Sequence, residues 1–252
     1  NSSSSNLMFS NSSSSNLMLS DSSSRSNNIR RSDDDDNYIH IVYATDEIMV
    51  PLTVISAASI IRFSQRPMRL FFHIVLIGIH WDEDFINEMR VSLGGLSSFE
   101  AITWSPLPEI IRNMKVRKKE RQDLAAPANY ARFYISKLFP LLDRFIYLDS
   151  DIFAIRAVDS LWSEDLGSNV FGLVHDCDQW FQTHVLSLGN YNISHPIVKR
   201  LFGDHVMNHS CHPNAGMMLV NQRLFNEGKY LEKIERLAQL NQKEFLYRLG
   251  SQ

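Results

Sequence analysis

The sequence predicts an α/β fold, a mostly parallel sheet flanked by helices, and three observations predict it. Short apolar strands alternate with helical segments through most of the chain, the pattern of strand–helix–strand units. The first strand, YIHIVYAT (38–45), is apolar on both faces near its end, as a strand covered by helices on both sides must be. The segments between the strands carry helix boundary signals, proline in a first turn and glycine just past an end.

The elements follow in order. YIHIVYAT (38–45) is rich in β-branched and aromatic residues and reads as a buried parallel strand. PLTVISAASIIRFS (51–64) is helical, with Pro51 in its first turn and small residues inside. LFFHIVLI (70–77) is a second strand. Asp82 to Leu93 is an amphipathic helix stopped by Gly94 and Gly95. AITW (101–104) is a shorter strand. Tyr130 to Phe139 reads as one helix, with Pro127 just before it and Pro140 just past it. FIYL (145–148), VFGLV (170–174) and MMLV (217–220) complete the strands.

With 252 residues, 44% of them hydrophobic, the chain supports one core and a tail. Residues 1–32 hold 15 Ser and 6 Asn and repeat ten residues almost unchanged, NSSSSNLMFS then NSSSSNLMLS. Such a tract buries too little apolar surface to offset its chain entropy, so residues 1–36 read as a disordered stem or linker and 37–252 as the folded domain. The acid run Asp33–Asp36 extends the linker as a solvated charge block. The chain starts at Asn1 and reads as a fragment, with any anchor upstream of it. The longest mostly apolar stretch, Ile48 to Ile61, contains Pro51 and falls short of the roughly 20 residues of a bilayer span.

Net charge is −3, and without the tail 22 basic face 23 acidic residues. That balance lacks the basic excess of a general nucleic-acid binder. Two cysteines exclude a disulfide framework and a four-cysteine zinc site. No Gly-x-Gly-x-x-Gly or Walker pattern follows a strand, and no Gly-x-Ser-x-Gly elbow is present. Dinucleotide, ATP and serine-hydrolase chemistry therefore lose ground.

In open α/β sheets ligands bind beyond the carboxyl ends of the strands. The first strand delivers Asp46 and Glu47 there, FIYL delivers Asp149, Ser150 and Asp151, and VFGLV delivers His175 and Asp176. Hard oxygen ligands gathered at one edge suit a divalent metal that bridges protein and phosphate. Asp-x-Asp alone is weak, since Asp82/Asp84 and Asp176/Asp178 repeat it. Asp149/Asp151 differ in lying between an apolar strand and the apolar IFAI (152–155), where carboxylates need a partner. The alternative is an ordinary surface turn.

NYARFYISKLFPLLDRFIYLDSDIFAI (129–155) resembles the central signature of family 8 retaining glycosyltransferases. CHPNAGMMLVN (211–221) resembles that family's Asn-Ala/Thr-Gly strand motif, and HIVYATDE (40–47) its first strand. Asp176 after VFGLVH matches the family's Asp downstream of the metal motif. The resemblance spans about Tyr38 to Gln252 and is nearest to galacturonosyltransferase-like proteins and animal family-8-domain proteins.

The resemblance implies a GT-A, Rossmann-like fold incomplete at the C-terminus, a UDP-sugar donor, and Mn²⁺ or Mg²⁺. It implies Asp149 and Asp151 as metal ligands, Asp46 on the uracil, Arg132 against the donor, and Asp176, Asn214 and Ala215 around the sugar. Ser150 would reach the ribose. Gln252 would be a donor-site residue, and Cys177 and Cys211 a disulfide pair. Read from the residues alone, Arg132 is rather a helix-surface arginine in a salt bridge, and the cysteines are two buried thiols or one bond. The resemblance further implies a Golgi or endoplasmic-reticulum lumenal enzyme, a type II membrane protein held by an N-terminal anchor. It would transfer a hexosyl or hexuronosyl group to a glycan acceptor, as in cell-wall polysaccharide synthesis, with no nucleic-acid partner and with homo- or hetero-oligomers open.

The sequence departs from the family at two places. Ile48 and Met49 stand where the first loop often carries Asn and an aromatic for the uridine. The third metal ligand, a His in a His-x-x-Gly-x-x-Lys-Pro segment, has no counterpart. A non-catalytic lumenal partner with a degenerate site is therefore the competing reading, and a sugar-nucleotide hydrolase a third.

Other residues weigh less. His73 lies in an apolar strand and reads as a satisfied core histidine. His205, His209 and His212 fall in a polar loop without helical register. Arg112 to Arg121 holds six basic residues in ten, a solvated helix face or a contact for an anionic acceptor or diphosphate. Asn1, Asn11, Asn192 and Asn208 open N-x-Ser sequons.

Overall fold

The computed structural model describes residues 38–78, 82–95, 98–114, 116, 124–176, 191–201 and 212–248. Six strands form one sheet: β1 (Ile39–Thr45), β2 (Leu70–Ile77), β3 (Ser98–Trp104), β4 (Arg144–Leu148), β5 (Phe171–Asp176) and β6 (His212–Asn221). Their order is β3-β2-β1-β4-β6-β5. β3, β2, β1 and β4 are parallel neighbours, and β6 runs antiparallel to both β4 and β5. The sheet is thus mostly parallel in direction, with β6 the one reversed strand.

Alternation along the strands divides the core. Ile39, Ile41 and Tyr43 of β1, Phe72, Ile74 and Leu76 of β2, and Ile146 and Leu148 of β4 pack one face. Helix α1 (Val50–Phe63) covers that face with Ala57 and Ile60, and α2 (Glu83–Ser92) with Met89. Val42, Val75, Phe145 and Tyr147 point to the other face. There they meet α4 (Pro127–Ala131), α5 (Ile135–Leu138), α7 (Gln222–Glu227) and α8 (Tyr230–Lys243). Both faces are buried, which is why these strands carry apolar residues at consecutive positions. Two further single-turn helices are α3 (Glu109–Arg112) and α6 (Asp159–Trp162).

The expected boundaries meet the structure closely for β1, β2, β4 and α1. Asp82 caps α2 by accepting from the Phe85 amide at 2.9 Å, and Gly94 and Gly95 follow it at φ +73° and +63°. Four expectations need correction. β3 starts at Ser98, three residues earlier than the expected 101. The helix expected over Tyr130–Phe139 is two, α4 and α5. Arg132 Nε takes the Asn129 carbonyl at 3.0 Å, which an unbroken helix would give to the Phe133 amide, and that amide turns to Tyr130 instead. β5 continues through Asp176 rather than ending at Val174, pairing Asp176 with His212 beyond a bulge at Leu173/Val174. β6 starts at His212, five residues earlier than expected.

His73 is the satisfied core histidine expected. It is buried, Nδ1 lies 2.7 Å from Glu100 Oε1, and Nε2 lies 2.9 Å from His40 Nδ1.

Candidate active site

β1 pairs with β2 on one side and β4 on the other, so the connection order reverses between β1 and β4. That crevice, outside the carboxyl ends, is where a doubly wound sheet binds ligands. β6 enters the sheet from the same edge, because it is antiparallel to β4. Three expected site segments therefore meet: Asp46 after β1, Asp149–Asp151 after β4, and Asn214–Gly216 early in β6.

Asp149 is held from several sides. Its amide donates to the Gly216 carbonyl at 2.8 Å, continuing the β4–β6 ladder past Leu148. Arg132 Nη2 donates to Oδ1 at 3.0 Å. A methyl group at Gly216 would sit 3.0 Å from Asp149 Oδ2 and 3.0 Å from Asn214 Oδ1. Glycine there admits the carboxylate. Burial pushes the Asp149 carboxyl above its ordinary pKa, Arg132 and Tyr147 pull it back, and Asp151 raises it again. Asp149's side chain keeps 35% of its surface open, and Asp151 is exposed.

Arg132 is 8% exposed and is no surface arginine. Its guanidinium donates to Asn129 O at 3.0 Å, Ala215 O at 2.5 Å and Asp149, and it lies 4.9 Å over the Tyr147 ring. Three of its five N–H groups are spent on the protein, and the fork ties α4, β4 and β6 together. The expected salt bridge is present, to the first Asp of the pair, but on a buried arginine rather than a helix-surface one.

Asp46 is half-buried, and its Oδ1 accepts from the Met49 amide at 3.1 Å. Ile48 beside it is 83% exposed. Ser150 is 5% exposed and its hydroxyl lies 2.8 Å from Thr53 Oγ1, on the α1 side of the loop. Asn214 is exposed and its Oδ1 accepts from the Gly216 amide at 2.7 Å. Ala215 packs towards the α4 side of the core. Arg112, first of the basic run, lines a cavity with Gly78, Trp104 and Leu107 at the carboxyl ends of β2 and β3. Asn192 Nδ2 is engaged with the Phe245 carbonyl at 3.0 Å. Asp176 is placed by the backbone of β5. Cys177, Cys211, Gln252, His205, His209 and most of the basic run lie outside the described residues.

Sequence reasoning missed Thr53, Ser56 and Ser59, which hold residues 150–154 from α1. Their spacing of three was the available signal.

Two carboxylates at a half-open edge fit a hard divalent cation that takes its remaining ligands from water and phosphate. Among the described residues no group of three or more His, Cys, Asp or Glu side chains is placed to hold a metal.

The family model described as glycosyl transferase family 8 matches residues 40–252. The chain belongs to glycosyl transferase family 8. Among curated relatives, the probable galacturonosyltransferase-like 4 of Arabidopsis thaliana is 29% identical over 215 residues, covering 84% of this chain and 58% of the relative. The probable galacturonosyltransferase-like 6 of the same plant is 27% identical, covering 84% and 59%. The chain therefore spans under two thirds of these relatives' length. The crystal structure of the galactosyltransferase LgtC in complex with donor and acceptor sugar analogs superposes with a TM-score of 0.53 at 19% identity, over 79% of this chain and 66% of that one. Mouse xyloside xylosyltransferase 1 in its apo form gives 0.55 at 13% identity, over 84% and 78%. At such identities these neighbours establish the family 8 chain's GT-A fold alone.

Proposed function

We propose that this chain carries the donor site of a retaining, metal-assisted glycosyltransferase. It would move a hexosyl or hexuronosyl group from a UDP-sugar to a glycan acceptor. The observation that carries the reading is the Asp149/Asp151 pair beyond β4, anchored by Arg132 and seated on Gly216 at the switch point. Family membership and the galacturonosyltransferase-like relatives support it.

In this reading Asp149 and Asp151 hold Mn²⁺ or Mg²⁺. The bound ion supplies charge neutralisation to the departing diphosphate. Asp46 faces the base, with Oδ2 left after Met49 takes Oδ1. Asn214, Asp176 and the remaining N–H groups of Arg132 orient the sugar. Positioning and fixed electrostatics then carry most of the rate. Retention and the uridine come from the family. The basic run that starts at Arg112 is the contact for an anionic acceptor. Residues 1–36 serve as a stem, Cys177 and Cys211 pair, and Gln252 belongs to the donor site. The compartment is the lumen of the Golgi or endoplasmic reticulum. Among the described residues no helix is long and apolar enough to cross a membrane.

A second reading, a lumenal partner that binds without catalysing, is favoured by the two-carboxylate donor set and by exposed Ile48 beside Asp46. Calorimetric titration of UDP into the chain tests the donor site, with Mn²⁺, with EDTA, and with the Asp149→Ala/Asp151→Ala variant, and transfer of the sugar from a UDP-sugar by the full-length protein separates the two readings. Binding that needs Mn²⁺ and both aspartates supports the donor site. Metal-independent binding overturns the metal assignment.

A further inference from the structure

Backbone pairing between β1 and β4 stops at Tyr43 and Leu148. Two residues further on, at matching register, stand Thr45 and Ser150. One precedes Asp46, and the other lies between Asp149 and Asp151. No ladder joins them. A single side chain does: Thr53 Oγ1 lies 2.9 Å from Thr45 Oγ1 and 2.8 Å from Ser150 Oγ, and it also lies 3.1 Å from the Met49 carbonyl. Thr45 and Thr53 are fully buried. A hydroxyl has one hydrogen and two lone pairs. Thr45 donates its one hydrogen to the Asp46 carbonyl at 3.2 Å, which leaves its oxygen to accept from Thr53.

Thr53 starts a row. On α1 the hydroxyls at 53, 56 and 59 share one face. On the segment after β4, residues 150, 152 and 154 meet that face in alternation. Ser56 donates to the Ile152 carbonyl, and its oxygen is also 2.7 Å from the Tyr43 phenol. The Ala154 amide donates to Ser59 Oγ at 2.9 Å. α1 itself starts in the turn closed by Met49 and Val50 amides on the Asp46 carbonyl. The helix that Asp46 launches is therefore the helix that clamps the Asp149–Asp151 loop.

We infer that Thr53 is a positioning residue for the donor site, fixing the gap between the Asp46 end of β1 and the Asp149–Asp151 loop where the strands part. Ser56 and Ser59 extend the clamp away from the carboxylates. The inference rests on the metal reading of Asp149 and Asp151.

The test is Mn²⁺ binding to the full chain, followed by the loss of the free-ion paramagnetic resonance signal, beside thermal melting. Thr53→Val keeps shape and removes the hydroxyl, and it weakens Mn²⁺ binding about 10-fold, in the range that groups orienting a metal ligand command. Thr53→Ser restores the affinity to within about 3-fold. Ser59→Ala, at the far end, lowers the melting midpoint but leaves Mn²⁺ affinity within about 2-fold of the parent. Ser150→Ala cuts the same link from the loop side and decides the matter if Thr53→Val does not fold. Parent-like Mn²⁺ affinity in folded Thr53→Val or in Ser150→Ala overturns the inference, as does equal weakening by Ser59→Ala. Unchanged affinity in Asp149→Ala/Asp151→Ala overturns the metal reading itself and this inference with it.

Discussion

Arg132 Nη2 lies 3.0 Å from Asp149 Oδ1 while the same guanidinium holds Asn129 and Ala215 carbonyls. One buried cation thereby sets both the break between α4 and α5 and the orientation of the first carboxylate. Lysine cannot replace it, because one ammonium on a flexible stem does not span three acceptors of a planar fork. Arg132→Lys and Arg132→Met each cost about 2–3 kcal/mol in urea unfolding, the scale of losing charge-assisted bonds. In Arg132→Met the carboxyl of Asp149, already raised by burial, loses the cation that pulls it down and rises further. Protons then compete with metal to higher pH. Mn²⁺ binding followed from roughly pH 4 to 7 moves its midpoint upward in Arg132→Met. An unmoved midpoint would show that the guanidinium does not govern this carboxylate.

Gly216→Ala tests the seat of Asp149. The added methyl meets Asp149 Oδ2 and Asn214 Oδ1 at 3.0 Å each, so the carboxylate must shift by a few tenths of an ångström. Metal and UDP binding fall about 10-fold, while stability changes by about 1 kcal/mol. Gly172→Ala in β5 is the matched control. Its methyl meets the Leu166 Cδ2 at 2.9 Å, the far end of a flexible side chain, and calorimetry there finds UDP binding unchanged. Equal losses in both variants would mean that general strain, not the seat, is being measured.

How much of this was legible in the sequence depends on the range of the forces. Strand β2 was readable to the residue because Leu70–Ile77 is apolar at every position but His73, between Arg69 and Gly78. Asp149 and Asp151 stood out because polar residues break an apolar run at the end where α/β sheets bind. The split of α4 from α5 was not readable, since its cause is a side chain recruited by Asp149, 17 residues away. The first half of β6 was hidden because His212, Pro213 and Asn214 look like loop and pair only at the sheet margin with β5. Thr53 looked like a small residue in a helix, and its partner Ser150 is 97 positions distant. Periodicity reports burial, and it is silent on which hydroxyls meet.

His73 separates structural from catalytic polarity. It bridges His40 and Glu100 across three strands, away from the carboxyl edge. His73→Leu removes the contacts to His40 and Glu100 and costs about 1–3 kcal/mol in urea unfolding. UDP and Mn²⁺ affinities stay at the parent value. A loss of binding at unchanged stability would instead bring this residue into the site.

Six phenols make the fold sensitive to alkali. Burial raises Tyr43, Tyr130, Tyr134, Tyr147, Tyr191 and Tyr247, with Tyr247 pushed up to about 12. The unfolded chain loses these protons near pH 10. The folded state keeps them to higher pH, so their stabilisation is complete below about pH 10 and is lost as pH climbs towards 12 and beyond. Tyrosinate absorbance and far-ultraviolet circular dichroism, followed together, record one co-operative step in which ionisation and loss of helix coincide. Tyr43 couples this step to the proposed donor site, because its phenol lies 2.7 Å from Ser56, which also donates to the Ile152 carbonyl beyond Asp149 and Asp151. Tyr43→Phe removes one of the six raised phenols, and it moves the transition to higher pH while lowering stability near neutrality. Gradual ionisation with intact helix signal would mean that these phenols titrate in place and do not support the fold.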